Sequence, residues 1–514
     1  MGDRSLRASA VAGLLIATLA GVRTARAQGG TDGGAPAPAA GAPSVNATPD
    51  GGAPPAEAVP ADSGGGLFEQ SQAQTAASAA AEAVLTAPKP PFTLNGYVRG
   101  DVFVGKTQDQ RAAEMKANYG ELALQLRTAK TAFGDGFADA RFRYGLQGNA
   151  PGTFVDIREA YVNAYLGPFD LRLGKQIIVW GRADALNPTN NLTPVDFRIR
   201  SPLEDDIRLG NVGARAFLRL GLVRLEGAWM PTYLATELPN VGLPPDVTFA
   251  PPIFPSPDLK NGLVAGRIHL ELPAFETSIS YLRGYAPLPG LTLTGLRFSM
   301  TDPAVFVSRT AYDQQVIGFD FSTALGDVLT LRGEAAYRRP YDWQNRPYAA
   351  RPDVQYALGA DHTFGPVSVI VQYLGRYVFN WQKEPGTNRD PGELAGILAN
   401  PDNQAGFTDL VTTEVNAELA QINQILFFQT ARVQHIATLR FEWLALHEAL
   451  SISSLCLYNF TTKEWLITPR IGWKLTDAMT AFIGAQVFAG PNDTLFGLVD
   501  QNLSAGYVEL RFSF

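Results

Sequence analysis

Residues 505–514, Ala-Gly-Tyr-Val-Glu-Leu-Arg-Phe-Ser-Phe, set Val508, Leu510, Phe512 and Phe514 on one parity and Tyr507, Glu509, Arg511 and Ser513 on the other. A strand sends alternate side chains to opposite faces, so one face of this segment is wholly apolar and the other carries charge. Left at the edge of a soluble sheet, such a strand invites edge-to-edge pairing. Closing it against the first strand of a membrane barrel removes the edge and turns the apolar face to lipid.

The same pattern runs through the chain from residue 92. Alternating stretches of about ten residues fall at 92–104, 115–129, 136–147, 154–166, 169–180, 210–220, 222–232, 261–272 and 275–285. They continue at 313–325, 328–338, 353–364, 367–380, 424–446, 450–459, 465–474, 479–488 and 504–514. That makes eighteen expected strands, an even number, with sixteen as the alternative if one hairpin is misread. Short connections at Gly167-Pro168, Gly221, Pro273-Ala274, Gly326-Asp327, Gly365-Pro366, His447-Glu448 and Thr476-Asp477 carry residues suited to tight turns. Long connections at 181–209, 233–260, 286–312, 339–352 and 381–423 lie between them. Only the connection 130–135 is long for its place. This is the arrangement of an all-β, antiparallel, up-and-down transmembrane β-barrel with short periplasmic turns and long extracellular loops. A soluble β-sandwich has no reason to hold that phase over so many hairpins.

The faces agree. Asp139, Arg141 and Arg143 oppose Phe142, Tyr144 and Leu146; Thr330, Arg332 and Glu334 oppose Leu329 and Leu331; Arg470 and Lys474 oppose Ile467, Ile471 and Trp473. A cation facing lipid at mid-bilayer costs ~2–4 kcal/mol, so the charged parity faces a wet lumen. The expected lumen wall therefore includes Arg141, Arg143, Asp156, Arg158, Arg172, Arg215 and Arg219, with Arg224, Arg267, Asp139, Glu226 and Glu271. Glu159 has the parity opposite to Asp156 and Arg158 and is left out. Lys175 shares the apolar parity of Leu171 and Leu173, and a bulge at Gly174 would turn it inward. The excess of arginine favours anions if these groups line an open pore; the alternative is that they neutralise neighbouring carboxylates. Aromatics at run ends suggest two girdles, Trp180, Trp229, Trp381 and Trp465 outside, Trp473 and Phe514 inside.

Residues 1–27 read as a secretory signal peptide: Arg4 and Arg7, a short apolar core over 8–22, and Ala25-Arg26-Ala27 at the cleavage site. Residues 28–91, dominated by Gly, Ala and Pro, are expected to be a disordered periplasmic linker, leaving 92–514 as the barrel. The net charge of −7 over 514 residues does not point to nucleic acid. Cys456 is the one cysteine, which excludes an internal disulfide framework.

The densest polar stretch follows Trp180. Arg182, Asp184, Asn187, Asp196, Arg198 and Arg200 are the expected constriction residues, because a long loop of mixed charge folded into a barrel narrows its pore. The alternative is a solvated loop whose charges pair among themselves. Helical spacing over 402–423 exposes Asp409, Glu414 and Glu418, as in a solvated helix. Four scattered histidines form no nucleophile or zinc motif, and His447-Glu448 lacks a second His four residues on. No catalytic residue, metal or cofactor is expected.

Arg158-Glu159-Ala160-Tyr161, Leu171-Arg172-Leu173-Gly174-Lys175-Gln176, Trp180-Gly181, Asn187-Pro188 and Pro194-Val195-Asp196 resemble a large porin-like outer-membrane family of proteobacteria, largely of unknown function. The ending on Phe514 likewise resembles the C-terminal signature of outer-membrane barrels. The resemblance implies a barrel with solute or lipid-like traffic, and contact between the C-terminal strand and the barrel-insertion machinery. With the residues above, the expectation is an outer-membrane channel for passive diffusion of small hydrophilic solutes, constricted after Trp180 and reached through signal-peptide export. Its rivals are a substrate-specific or lipid-handling barrel partnering an inner-membrane exporter, and a closed structural or adhesion barrel. Outer-membrane lipid and lipopolysaccharide are the expected surroundings; homo-oligomerisation is left open.

Overall fold

Every expected run forms a strand, each strand pairs antiparallel with the next, and the last closes on the first. The computed structural model of the protein describes residues 90–106, 112–147, 150–238, 247–297, 304–326, 329–384, 386 and 404–514. The signal-peptide expectation and nearly all of the linker expectation lie outside the described residues, as does Asp402.

In chain order the strands are β1 (Phe92–Lys106), β2 (Ala113–Thr128), β3 (Gly134–Gln147), β4 (Ala150–Leu166), β5 (Phe169–Gln176), β6 (Asn211–Leu220) and β7 (Val223–Met230). There follow β8 (Val247–Phe249), β9 (Leu263–Leu272), β10 (Phe275–Tyr285), β11 (Gly290–Arg297), β12 (Ala304–Thr310), β13 (Asp313–Leu325) and β14 (Leu329–Pro340). The remainder are β15 (Asp353–Phe364), β16 (Val367–Val378), β17 (Val433–Ala445), β18 (Leu450–Asn459), β19 (Glu464–Lys474), β20 (Met479–Ala489) and β21 (Ala505–Ser513). Helices α1 (Gln404–Leu426) and α2 (Leu495–Leu503) lie in the connections before β17 and β21. Eighteen strands make one closed antiparallel barrel with an apolar outer surface; β8, β11 and β12 form a separate three-stranded sheet. Closure runs from Tyr97↔Ser513 to Gly105↔Ala505, and Gly96 and Phe514 exchange both main-chain bonds at 2.9 Å.

The alternation sets the two surfaces. On β21, Val508, Leu510 and Phe512 are exposed outward while Tyr507 and Glu509 are buried inward. Val162 on β4, 61% exposed, and Ile279 on β10 continue the outer apolar band. No helix among the described residues is long and apolar enough to cross a membrane, which says nothing of the strands. Turn glycines Gly167, Gly221, Gly326 and Gly365 all have φ between +58° and +69°, a region that costs other residues strain.

Four local expectations need correction. The strand expected to reach Trp180 ends at Gln176, because the Ile177 N–H leaves the ladder for Glu159 Oε1 (2.9 Å). The chain then turns inward, so Trp180 is 1% exposed inside the barrel and is no girdle residue. The bulge lies in β4 rather than at Gly174: Asp139 faces Glu159 while Ala140 faces Ile157, leaving Arg158 as the extra residue. This bulge sets Glu159 inward with Asp156, whereas Lys175 stays in regular register and reaches Asp156 at 3.1 Å. The strand expected over 424–446 starts only at Val433, since α1 continues through Leu426. Glu414 is buried with Val411 and Val415 on the side of α1 that packs against Leu291, Val305 and Val307, leaving Asp409 exposed and Glu418 half-buried.

Three loops thus fold together at one end. Asn423 of α1 exchanges side-chain bonds with the main chain of Leu291 at 2.7 and 2.9 Å, and Arg376 of β16 donates to Phe427 O and Phe428 O just past the helix.

Candidate functional site: a segment across the lumen

Residues 177–209, between β5 and β6, cross the lumen and attach to strands all around it. The segment turns at Gly181, whose φ of +104° and closeness to the Asn187 side chain leave no room for a Cβ. Asn187 Oδ1 accepts the N–H groups of Thr189 (3.2 Å) and Asn190 (3.1 Å), so this residue shapes the turn.

One attachment is to β1–β4. Asp206 accepts Arg99 at 2.7 Å, Arg141 at 3.1 Å, Arg158 at 3.4 Å and the Ser201 hydroxyl at 2.5 Å. Burial alone would raise the Asp206 pKa; the pull of Arg99, Arg141 and Arg158 outweighs it and holds the carboxyl below the usual carboxylate range. Arg99 also meets Glu121 at 2.9 Å and Asp101 at 3.3 Å, and Arg143 pairs with Glu121. The Tyr119 hydroxyl donates to Arg200 O at 2.5 Å.

A second attachment is to β7. Trp180 Nε1 donates to Glu226 Oε1 at 2.8 Å, and Glu226 also takes Arg215 (2.8 Å) and faces His269 (3.1 Å). Ile178, Trp180 and Leu192 pack there with Met230, Leu282 and Val316. A third is to β10, β13 and β14: Arg182 reaches Asp320 at 2.8 Å and Glu276 at 2.7 Å. Buried Glu334 accepts the main-chain N–H of Arg182 and of Ala183, the Thr189 N–H (3.3 Å) and the Thr189 hydroxyl (3.0 Å).

Continuing round the wall, Arg440 of β17 binds Asp184 at 2.6 Å and Gln372 of β16 accepts the Asp184 N–H at 3.1 Å. Gln486 of β20 donates to Ser201 O at 3.1 Å. Arg200 donates to Leu503 O at 2.7 Å and to Asn502 O, ending α2 with a cation at its negative pole. Burial pulls the Arg200 pKa down to about 10.

The six loop residues named from sequence thus have distinct placements. Arg182 ties the segment to β10 and β13 and Asp184 ties it to β16 and β17, a few strands further round the same wall; Asn187 forms its turn, and Arg200 holds α2. Asp196 and Arg198 pair with each other at 2.7 Å, with Arg198 more than half exposed and also facing Glu237 at 3.4 Å. On the wall, Arg141, Arg143, Arg158 and Arg215 are paired as above, Arg219 pairs with Asp170 at 3.1 Å, and Asp156 pairs with Lys175. Arg172 bonds the Asn163 amide oxygen at 2.9 Å and lies 4.1 Å from the centre of the Tyr161 ring. The arginine excess is therefore largely matched by carboxylates. Trp229, Trp465, Trp473 (56% exposed) and Phe514 sit on the outer surface near strand ends; Trp381 is half-buried, its Nε1 donating to Gln429 O at 2.8 Å.

Sequence reasoning missed Arg99, Asp320, Gln372 and Arg440, which hold the segment, and placed Glu334 on the charged face without its partners. Their inward parity was readable, but the partner each would meet across the lumen was not.

No curated protein matches the chain. Similar solved structures include OccK5 (OpdH) of Pseudomonas aeruginosa, at 9% identity and a TM-score of 0.47, covering 82% of this chain and 97% of that one. OccK9 (OpdG) of the same organism gives 9%, 0.48, 82% and 97%. A BenF-like porin from Pseudomonas fluorescens Pf-5 gives 10%, 0.47, 82% and 98%. Residues 105–243, under half of the 514, match the model of a family described as a protein of unknown function, DUF1302. That match contains all of 177–209 and the residues of 156–196 whose pattern resembles a porin-like family.

Proposed function

We propose that this protein is an outer-membrane channel through which small hydrophilic solutes diffuse passively, narrowed by residues 177–209. Its short turns face the periplasm and its long loops face outward. One observation carries the reading: a polar segment inside an eighteen-stranded barrel is tied to β1–β4, β7, β13–β14, β16–β17 and β20. A barrel of this strand number is wide enough for an aqueous path unless something fills it, and the segment crosses that path. Since most lumen arginines are paired, the proposed channel discriminates by size more than by charge.

Swelling of proteoliposomes in uncharged sugars of graded size tests this. Uptake of the smallest sugars, with a sharp loss as size rises, is the expected result. Folded, heat-modifiable protein that admits none of them refutes it.

A second reading, a path for hydrophobic molecules, has one observation in its favour. The inward parity of β15–β18 becomes apolar at Ala357, Leu374, Ile436 and Leu457, beside Phe428 and Phe496. Lipid retained through detergent exchange, together with absent sugar uptake, would favour it.

A further inference from the structure

At the loop end of the barrel's outer surface, three residues stand side by side on adjacent strands. Arg283 of β10 is directly opposite Gln315 of β13, and Gln315 is directly opposite Arg339 of β14. All three have the outward parity, shared with Ile279 and Tyr281, with Ile317 and Phe319, and with Tyr337. Both arginines are exposed, and two strand spacings set their Cα atoms about 10 Å apart.

Among the described residues, neither arginine has a carboxylate partner. Arg283 lies 5.7 Å from the centre of the Tyr341 ring. Gln315 Oε1 accepts the Tyr341 hydroxyl (3.1 Å) and faces that of Tyr281 (3.5 Å), which leaves its amide N–H groups as free donors. The carboxylates of the neighbouring turn are already taken: Arg346 holds Asp313 at 2.8 Å and Asp342 at 3.6 Å. Cations at the same level of β2 and β5 differ, Lys116 pairing with Glu114 at 2.7 Å and Lys175 with Asp156 at 3.1 Å.

We propose that Arg283, Gln315 and Arg339 form a binding site for the phosphate groups of a phosphorylated glycolipid in the outer leaflet. The proposal rests on the outer-membrane placement given above and is independent of whether the barrel conducts. Two guanidiniums and an amide offer a row of donors to phosphate oxygens, which a planar guanidinium engages in pairs. Directly below them, Ile279, Tyr281, Ile317 and Phe319 present exposed apolar and aromatic surface for acyl chains. A free anion would use the cations alone; only a lipid-anchored phosphate uses both surfaces. A zwitterionic headgroup carries its own countercharge and gains less.

The test uses the full-length protein in detergent micelles, with bisphosphorylated lipid A, its dephosphorylated form and inorganic pyrophosphate as probes. Binding is read by native mass spectrometry on heat-modifiable, hence folded, protein. Lipid A should bind the Arg283→Gln/Arg339→Gln variant about thirty-fold more weakly than the native chain. Binding to Lys116→Gln should be unchanged, and the dephosphorylated lipid should bind the native chain as weakly as lipid A binds the double variant. Should the double variant fail to fold, Arg339→Gln alone should weaken binding about five-fold. Undiminished lipid A binding in whichever variant folds overturns the proposal. So does pyrophosphate that competes at the same concentration as lipid A, since the site would then take soluble anions. Sugar uptake measured on the same preparations keeps failure of this site distinct from failure of the channel reading.

Discussion

Glu334→Gln should loosen the lumen segment while leaving the barrel standing. The native carboxylate accepts two main-chain N–H groups from one side and the N–H and hydroxyl of Thr189 from the other. Hydrogen bonds to a charged acceptor each contribute about 1.5–3 kcal/mol. A glutamine keeps one carbonyl oxygen for Arg182 and Ala183 but turns an amide donor toward the Thr189 N–H, so it loses about two such bonds. Relief of repulsion from Asp320, directly opposite on β13, returns less than about 1 kcal/mol, since Arg182 and Arg267 already hold Asp320. The net cost is about 3 kcal/mol, on the order of a hundredfold in the population of the detached segment, at about 1.4 kcal/mol per factor of ten. Hydrogen exchange of the peptide covering 181–192 in reconstituted protein reads this directly. Exchange should speed up by about that factor, while strand peptides change little. Unchanged exchange over 181–192 would show that Glu334 does not hold the segment, and would refute the reasoning.

Asp206→Asn should free the other end, costing about 3–5 kcal/mol because Arg99, Arg141 and Arg158 lose their shared carboxylate; exchange over 196–208 checks it. The Asp206 pKa is depressed in the folded state, so its contribution is complete above about pH 4, the ordinary carboxylate value. It is lost only as pH falls through the depressed value, so exchange over 196–208, corrected for the intrinsic rate, should be flat from pH 8 to 5. Gly181→Val places a Cβ against Asn187 at a φ of +104° and should raise exchange over 181–192 as Glu334→Gln does. In single-tryptophan variants, lipids brominated on their acyl chains should quench Trp473 strongly and Trp180 barely, since only the former faces the bilayer.

The barrel was legible because it rests on period two, which each strand displays locally. β10, β13, β15 and β18 begin and end where the alternation does. Errors gathered where a tertiary partner outbid the local pattern. Trp180 continues the alternation of β5, yet Glu159 takes the Ile177 N–H and Glu226 takes the indole, so the chain leaves the wall. Parity could not reveal the bulge at Arg158, because an extra residue changes the face without changing composition. Of the candidate site, the charged loop after Trp180 was recognisable as polar and long. Its role for Arg200 was not, since that residue's partners are main-chain carbonyls about 300 positions away.

Single-channel recording of the native protein in a planar bilayer tests the central claim most directly. A constricted channel predicts stable, small, uniform open steps, with a reversal potential showing weak ion selectivity because the lumen charges are largely paired. A silent bilayer containing folded, heat-modifiable protein would contradict it, and residues 177–209 would then close the barrel rather than narrow it.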